Sequence, residues 1–112
     1  MRVASDIWVK AYLRRCAQAG AGCVLERRGD GARGAIYIKV IRRDRSVELF
    51  VPAPAGLERP DDERRWQPPA AARPESEIDA MLAREAGFDP DLWILAIEDG
   101  AGRHFLDDFL TR

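Results

Sequence analysis

Six of the chain's seven prolines, Pro52, Pro54, Pro60, Pro68, Pro69 and Pro74, fall within 23 consecutive residues near the middle of its 112. Proline fixes φ and lacks a backbone donor, so residues 52–74 cannot form an ordinary helix or a central strand. The segment reads as a long loop inside one domain, and loops of more than ~15 residues in small domains are usually functional or disordered. Trp66, flanked by Arg64 and Arg65, is the residue in it best suited to anchoring. It either packs back on its own domain or meets a partner, because aromatic and Arg side chains are enriched at interfaces. Arg64, Arg65 and Trp66 are therefore the candidate partner-binding residues.

Regular structure is expected on either side of the loop. Residues 5–19 read as a helix: Ser5 is placed to cap it and Asp6 complements the positive end of its dipole. Trp8, Ala11, Tyr12, Cys16 and Ala19 recur at spacings of three and four, Ile7 and Leu13 widen that apolar face, and Gly20 and Gly22 end the helix. Residues 23–28, 35–42 and 47–51 are short runs rich in β-branched and aromatic side chains, separated by turn chemistry, and look like a three-stranded meander. Beyond the loop, residues 76–86 read as a second helix, with Ser76 and Asp79 in a capping-box arrangement and Ile78, Met81, Leu82 and Ala86 as its stripe. Residues 92–98 and 103–107 then predict a hairpin around Asp99-Gly100-Ala101-Gly102.

The expected order is α-β-β-β-α-β-β: a single α+β domain over residues 1–112, with a mainly antiparallel sheet and both helices packed on one face, since each helix has one apolar stripe to bury. An apolar content of 46% with 33% charged residues describes a globular chain, not a disordered one. No segment approaches the ~20 apolar residues of a membrane span, and residues 1–10 hold no signal-peptide run, so a cytoplasmic protein without membrane contact is the simplest reading. Cys16 and Cys23 have no Cys or His neighbours in sequence and read as reduced thiols, not as a zinc site.

Charge is divided between the halves. Residues 1–45 carry 11 Arg and Lys against 4 Asp and Glu, a balance of +7, and residues 46–112 carry 7 against 15, a balance of −8. Such a split supplies either a basic surface for an anionic partner or two opposite surfaces that meet within one molecule or between two copies. Arg14, Arg15, Arg27, Arg28, Arg42, Arg43 and Arg45, with Tyr37 and Phe50 as stacking surfaces, form the alternative of a nucleic-acid-binding face. The acidic second half and the lack of a ribonucleoprotein motif weigh against it.

Catalytic chemistry has few candidates. His104 is the sole histidine, and a general-base role would need a carboxylate such as Asp107 to orient it. The alternative is a hydrogen-bonded structural histidine. Carboxylates at Asp89, Asp91, Glu98, Asp99, Asp107 and Asp108 show no ordered ligand spacing, so neither a metal nor another cofactor is expected. The glycine-rich stretch at Gly29, Gly31 and Gly34 lacks the lysine and following helix of a phosphate loop.

Residues 5–16 (Ser-Asp-Ile-Trp-Val-Lys-Ala-Tyr-Leu-Arg-Arg-Cys), 34–40, 48–50, 75–79, 88–94 and 102–106 together resemble a family of small bacterial proteins, mainly alphaproteobacterial, known as a domain of unknown function. The resemblance spans nearly the whole chain outside the proline-rich middle. It implies no catalytic role for any residue. The expectation drawn from the chain is a non-enzymatic protein-interaction module that binds another protein or itself as a homodimer, ahead of nucleic-acid binding and of an enzyme built on His104 and Asp107.

Overall fold

A computed structural model describes residues 3–54 and 64–111. Helix α1 (Ser5–Gln18) is followed by β1 (Gly22–Arg27), β2 (Ile36–Ile41) and β3 (Ser46–Phe50). The two-residue β4 (Arg73–Pro74) leads into α2 (Glu75–Phe88), and β5 (Trp93–Glu98) precedes a 3-10 turn at Asp107–Phe109. The fold is α+β with a five-stranded, mainly antiparallel sheet, as the sequence pattern requires.

The strand order is β1-β5-β2-β3-β4, which corrects the expected meander. Strand β5 inserts between β1 and β2 and runs parallel to β2. The physical reason lies in the side chains. Strand β2 is apolar on both faces, with Ile36, Ile38 and Val40 on one and Tyr37 and Ile41 on the other; β5 likewise has Trp93, Leu95 and Ile97 against Ile94 and Ala96. Strands buried on both sides take the centre of a sheet, and β1, which alternates exposed and half-buried positions, takes an edge.

That insertion also removes the predicted hairpin. Both edges of β5 are occupied, so residues 103–107 have no strand to pair with. The chain instead turns at residues 99–102, with Gly102 at φ 72°, and crosses the α1 side of the sheet, where Leu106 is buried. The two helices, expected on one face, cover opposite faces. Val9, Tyr12 and Cys16 of α1 pack on Ile36, Ile38, Val40, Leu95 and Ile97, whereas Ile78 and Leu82 of α2 pack on Ile41, Val47 and Ala96. A sheet with two apolar faces needs two covers.

Neither helix uses its expected cap. α1 starts after Ala4 and α2 after Pro74, without side-chain capping bonds. Ser5 Oγ donates instead to the Gly34 carbonyl at 2.8 Å, and Asp79 turns to a lysine of the sheet. Ile7 is exposed, and Val9 takes the buried place on α1. The glycine-rich loop is explained by close approach, since a Cβ on Gly29 or Gly34 would collide with the Asp91 carbonyl.

Candidate functional site

The proline-rich segment folds back on its own domain where it is described. Pro52 bridges to Trp66, and Trp66 bridges in turn to Leu110. The Trp66 backbone N–H donates to Phe109 O and its carbonyl accepts from Thr111 N–H, both at 2.8 Å. Its indole, 1% exposed, lies 4.7 Å from the Trp8 ring, and Nε1 donates to the Ile36 carbonyl at 2.8 Å. Arg64 donates to Val3 O and Ser5 Oγ, and Arg65 to Asp108 O. All three side chains are buried. They clasp the start of α1 and the C-terminal segment onto the core, and the packed, hydrogen-bonded indole favours the alternative in which Trp66 packs back on its own domain.

His104 sits half-buried beside Phe50, with ring centroids 4.8 Å apart. Its Nδ1 accepts the Leu106 backbone N–H at 3.0 Å. That bond fixes the neutral imidazole with its proton on Nε2, so the nitrogen that faces Asp107 Oδ1 at 3.8 Å is a donor. A general base needs the lone pair there. Asp107 therefore does not orient His104 for proton abstraction, and the geometry is that of a structural histidine whose own carbonyl accepts the Tyr12 hydroxyl at 2.6 Å.

The seven arginines of the nucleic-acid alternative do not converge. Arg27 and Arg28 lie where β1 ends beside Ile94 and Trp93, Arg27 donating to Pro90 O and Arg28 lying 5.5 Å over the Trp93 ring. Arg42, Arg43 and Arg45 lie at the opposite end, beyond the Ile41–Glu98 pairing of β2 and β5. There Arg45 pairs with Glu98 at 2.7 Å, Arg42 with Glu48 at 3.7 Å, and Arg43 donates to Gly100 O. On α1, Arg15 lies 5.9 Å over Phe105, while Arg14 is exposed. Arg103 faces the same Phe105 ring and is hydrogen-bonded to Asp99, which holds the Asp99 carboxyl well below the usual range. Much of the charge split is thus resolved inside the molecule.

The strongest case of that pairing was not visible in sequence. Lys39 is 1% exposed in the middle of β2, and its Nζ donates to Asp79 at 2.7 Å, Glu26 at 3.0 Å and Glu75 at 3.1 Å. Three local features assemble it. A β-bulge after Leu25 places Glu26 as the extra residue of β1. Ala96, directly opposite Lys39 on the intervening strand, leaves space for the lysine stem to cross. The N-terminal end of α2 supplies Glu75 and, one turn on, Asp79. Burial works against the ammonium, but the three carboxylate bonds outweigh it and raise the Lys39 pKa. A single lysine in an otherwise apolar strand was the available signal.

On the same face, a groove of about 250 Å³ opens between α2 and the second half of the proline-rich segment. Leu49, Val51, Ile78 and Met81 give it an apolar floor, Gln67 to Ala71 form one wall, and Arg73 closes an end. The outer edge of β3 runs along it. Val51 O accepts Gln67 N–H, Val47 pairs with Arg73, and Leu49 between them has no sheet pairing on its outer side among the described residues. Antiparallel geometry turns the backbone groups of Val47, Leu49 and Val51 outward together, so Leu49 presents an N–H and a C=O toward the wall. Pro68 and Pro69 stand in that wall and cannot donate to it.

Among the described residues, no cluster of His, Cys, Asp or Glu could hold a metal ion, and no helix is long and apolar enough to cross a membrane. Fold and surface together define a small α+β domain with a sheet covered on both faces and an apolar groove at the β3 edge. The chain belongs to the family described as protein of unknown function DUF1491, whose model matches residues 3–107. A crystal structure of a DUF1491 family protein from Caulobacter crescentus CB15 is 37% identical over the full length of both chains, with a TM-score of 0.81. An NMR structure of a DUF1491 family protein from the same organism is 38% identical over 100% of this chain and 99% of that one, also at 0.81. A solution structure of a protein from A. tumefaciens is 38% identical over 88% and 87% of the two chains, with a TM-score of 0.75. No curated protein matches the sequence.

Proposed function

We propose that this chain is a non-enzymatic protein-interaction module that takes an extended segment of another protein into the groove between α2 and the β3 edge. The observation that carries the reading is the unpaired outer side of Leu49 above an apolar floor. An added strand recruits affinity through main-chain hydrogen bonds and specificity through side-chain pockets, and both parts are present. The proline-rich segment keeps its functional role in this reading, but through residues 67–71 and not through Trp66. The His104 tautomer supports the non-enzymatic assignment.

The test is selection of random octapeptides on the immobilised protein, followed by titration of the enriched peptide into the ¹⁵N-labelled chain. Shifts at the amides of Leu49, Val51, Gln67 and Met81 are expected, and Met81→Lys should abolish binding while the circular dichroism spectrum is retained. Shifts confined to other surfaces, or equal binding by Met81→Lys, would overturn the reading.

A second reading, homodimerisation, is favoured by β1. Its outer edge is unpaired among the described residues, and Val24 is 58% exposed at its centre. Unpaired edges are templates for another copy. Sedimentation should then show a dimer that Val24→Lys converts to monomer; a monomeric parent chain at high concentration removes this reading.

A further inference from the structure

We infer that the segment taken by the groove is a chain end, an apolar C-terminal residue whose free carboxylate is read by Arg73. This rests on the groove assignment above and adds the chemistry of the partner. Two independent features carry it.

The first is that the track along β3 is closed at both ends. At one end Gln67 already occupies Val51, and at the other the backbone of Arg73 already pairs with Val47. Between them, among the described residues, Leu49 alone is open. A strand running through the groove would have to displace one of these pairings, whereas a terminus can enter, bond once to Leu49 and stop.

The second is charge. Among the described residues that line the groove there is no carboxylate, and the one ionised group is Arg73 at the β4 end. Of the nearby acids, Glu75 and Asp79 bind Lys39 and Glu48 pairs with Arg42, while Glu77 in the first turn of α2 is exposed and does not line the groove. The Arg73 side chain is exposed and has no hydrogen bond or ion pair among the described residues. A guanidinium beside an apolar floor matches a terminal carboxylate bidentately, and captures of this kind draw on charge-assisted bonds that an internal peptide bond cannot make. The terminal side chain then falls between Leu49, Ile78 and Met81, and a volume near 250 Å³ accommodates one Val, Leu, Ile or Phe side chain with its neighbour.

The probe is an octapeptide library ending in Ala, Val, Leu, Ile, Phe or Met, displayed with a free C terminus. The best-enriched sequence is then synthesised with a fluorescein label as the acid and as the C-terminal amide, and titrated by fluorescence polarisation. Amidation should weaken binding about tenfold or more, Arg73→Glu should cause the same loss and erase the difference between acid and amide, and Arg73→Lys should fall between. Circular dichroism of the Arg73 variants controls for folding. Equal binding of acid and amide, with Met81→Lys still abolishing both, would overturn the terminal-carboxylate inference and leave the groove reading standing. Failure of the library to enrich any peptide, or binding untouched by Met81→Lys, would overturn both.

Discussion

The two faces of the sheet are built on opposite principles. On the α1 face, Trp8, Trp66 and Phe109 meet tilted or edge-on with centroids 4.7 to 6.3 Å apart, and Trp66 Nε1 and the Tyr12 hydroxyl donate to the Ile36 and His104 carbonyls. On the α2 face the cover is one helix, its buried apolar residues are few, and the largest fully buried group is the Lys39 side chain. Grooves open on both sides of α2, one toward Arg73 and one of about 300 Å³ toward Glu26 and Arg27, and Phe88 at the helix end is 87% exposed. The lesson is a division of labour. Stability is expected to concentrate on the face covered by the returning C-terminal segment, and the recognition proposed above belongs to the face held by an ionic tie and left open at its margins.

The largest effect expected from this comparison is on the sealed face. Trp66→Ala removes a buried indole and its Nε1 hydrogen bond to Ile36 from the α1 layer while leaving the backbone bridges in place, and should cost about 3–5 kcal/mol in urea unfolding. A loss under about 1 kcal/mol would mean that the layer is not the stabilising one.

On the ionic face, Lys39→Met leaves Glu26, Glu75 and Asp79 facing one another without their cation. The cost should be about 2–3 kcal/mol near neutrality, less than for a fully buried pair because the carboxylates remain partly solvated. It should shrink as added salt screens the repulsion among the three carboxylates, and an undiminished cost at high salt would refute the electrostatic account.

Alkaline unfolding sharpens the contrast further. Burial, with the Glu85 and Asp89 carboxylates nearby, pushes Tyr37 up to about 12, and Lys39 is raised above its ordinary 10.5. Both groups hold protons in the folded state that the unfolded chain releases earlier. Their contribution is therefore complete below pH 10 and is lost as pH rises toward 12. Urea midpoints should fall across that window, and Lys39→Met and Tyr37→Phe should each flatten the fall.

The smallest effect is expected at the open margin. Met81 is 37% exposed, so Met81→Lys should change stability by no more than about 0.5 kcal/mol while removing peptide binding. A large loss of stability would make the groove a packing feature and not a recognition site.

Some of the candidate site was legible in the residues. The prolines located the segment that forms the groove wall, and Ile78 and Met81 were on the helical stripe that supplies its floor. Trp66 was recognised as an anchor, but the sequence does not tell whether an indole anchors to its own core or to a partner; the Ile36 carbonyl that accepts its N–H is 30 residues away. The Lys39 cluster was illegible for the same reason, since its carboxylates are 13, 36 and 40 residues distant. The hairpin expected over residues 92–107 required a free edge on β5, and β1 and β2 occupy both of its edges.

What the sequence determined by itself is therefore local: where helices and strands lie, where proline forbids both, and that the product is an α+β domain. These follow from periodicity, glycine and proline conformations, and side-chain branching, all of which act over a few residues. The tertiary structure alone decided that β5 enters between β1 and β2, that the helices divide between the two faces, that Lys39 gathers three carboxylates and that Leu49 keeps an open edge. Each of these depends on which distant segments bury one another, and the free energy that selects among such pairings is a property of the assembled core rather than of any stretch of chain.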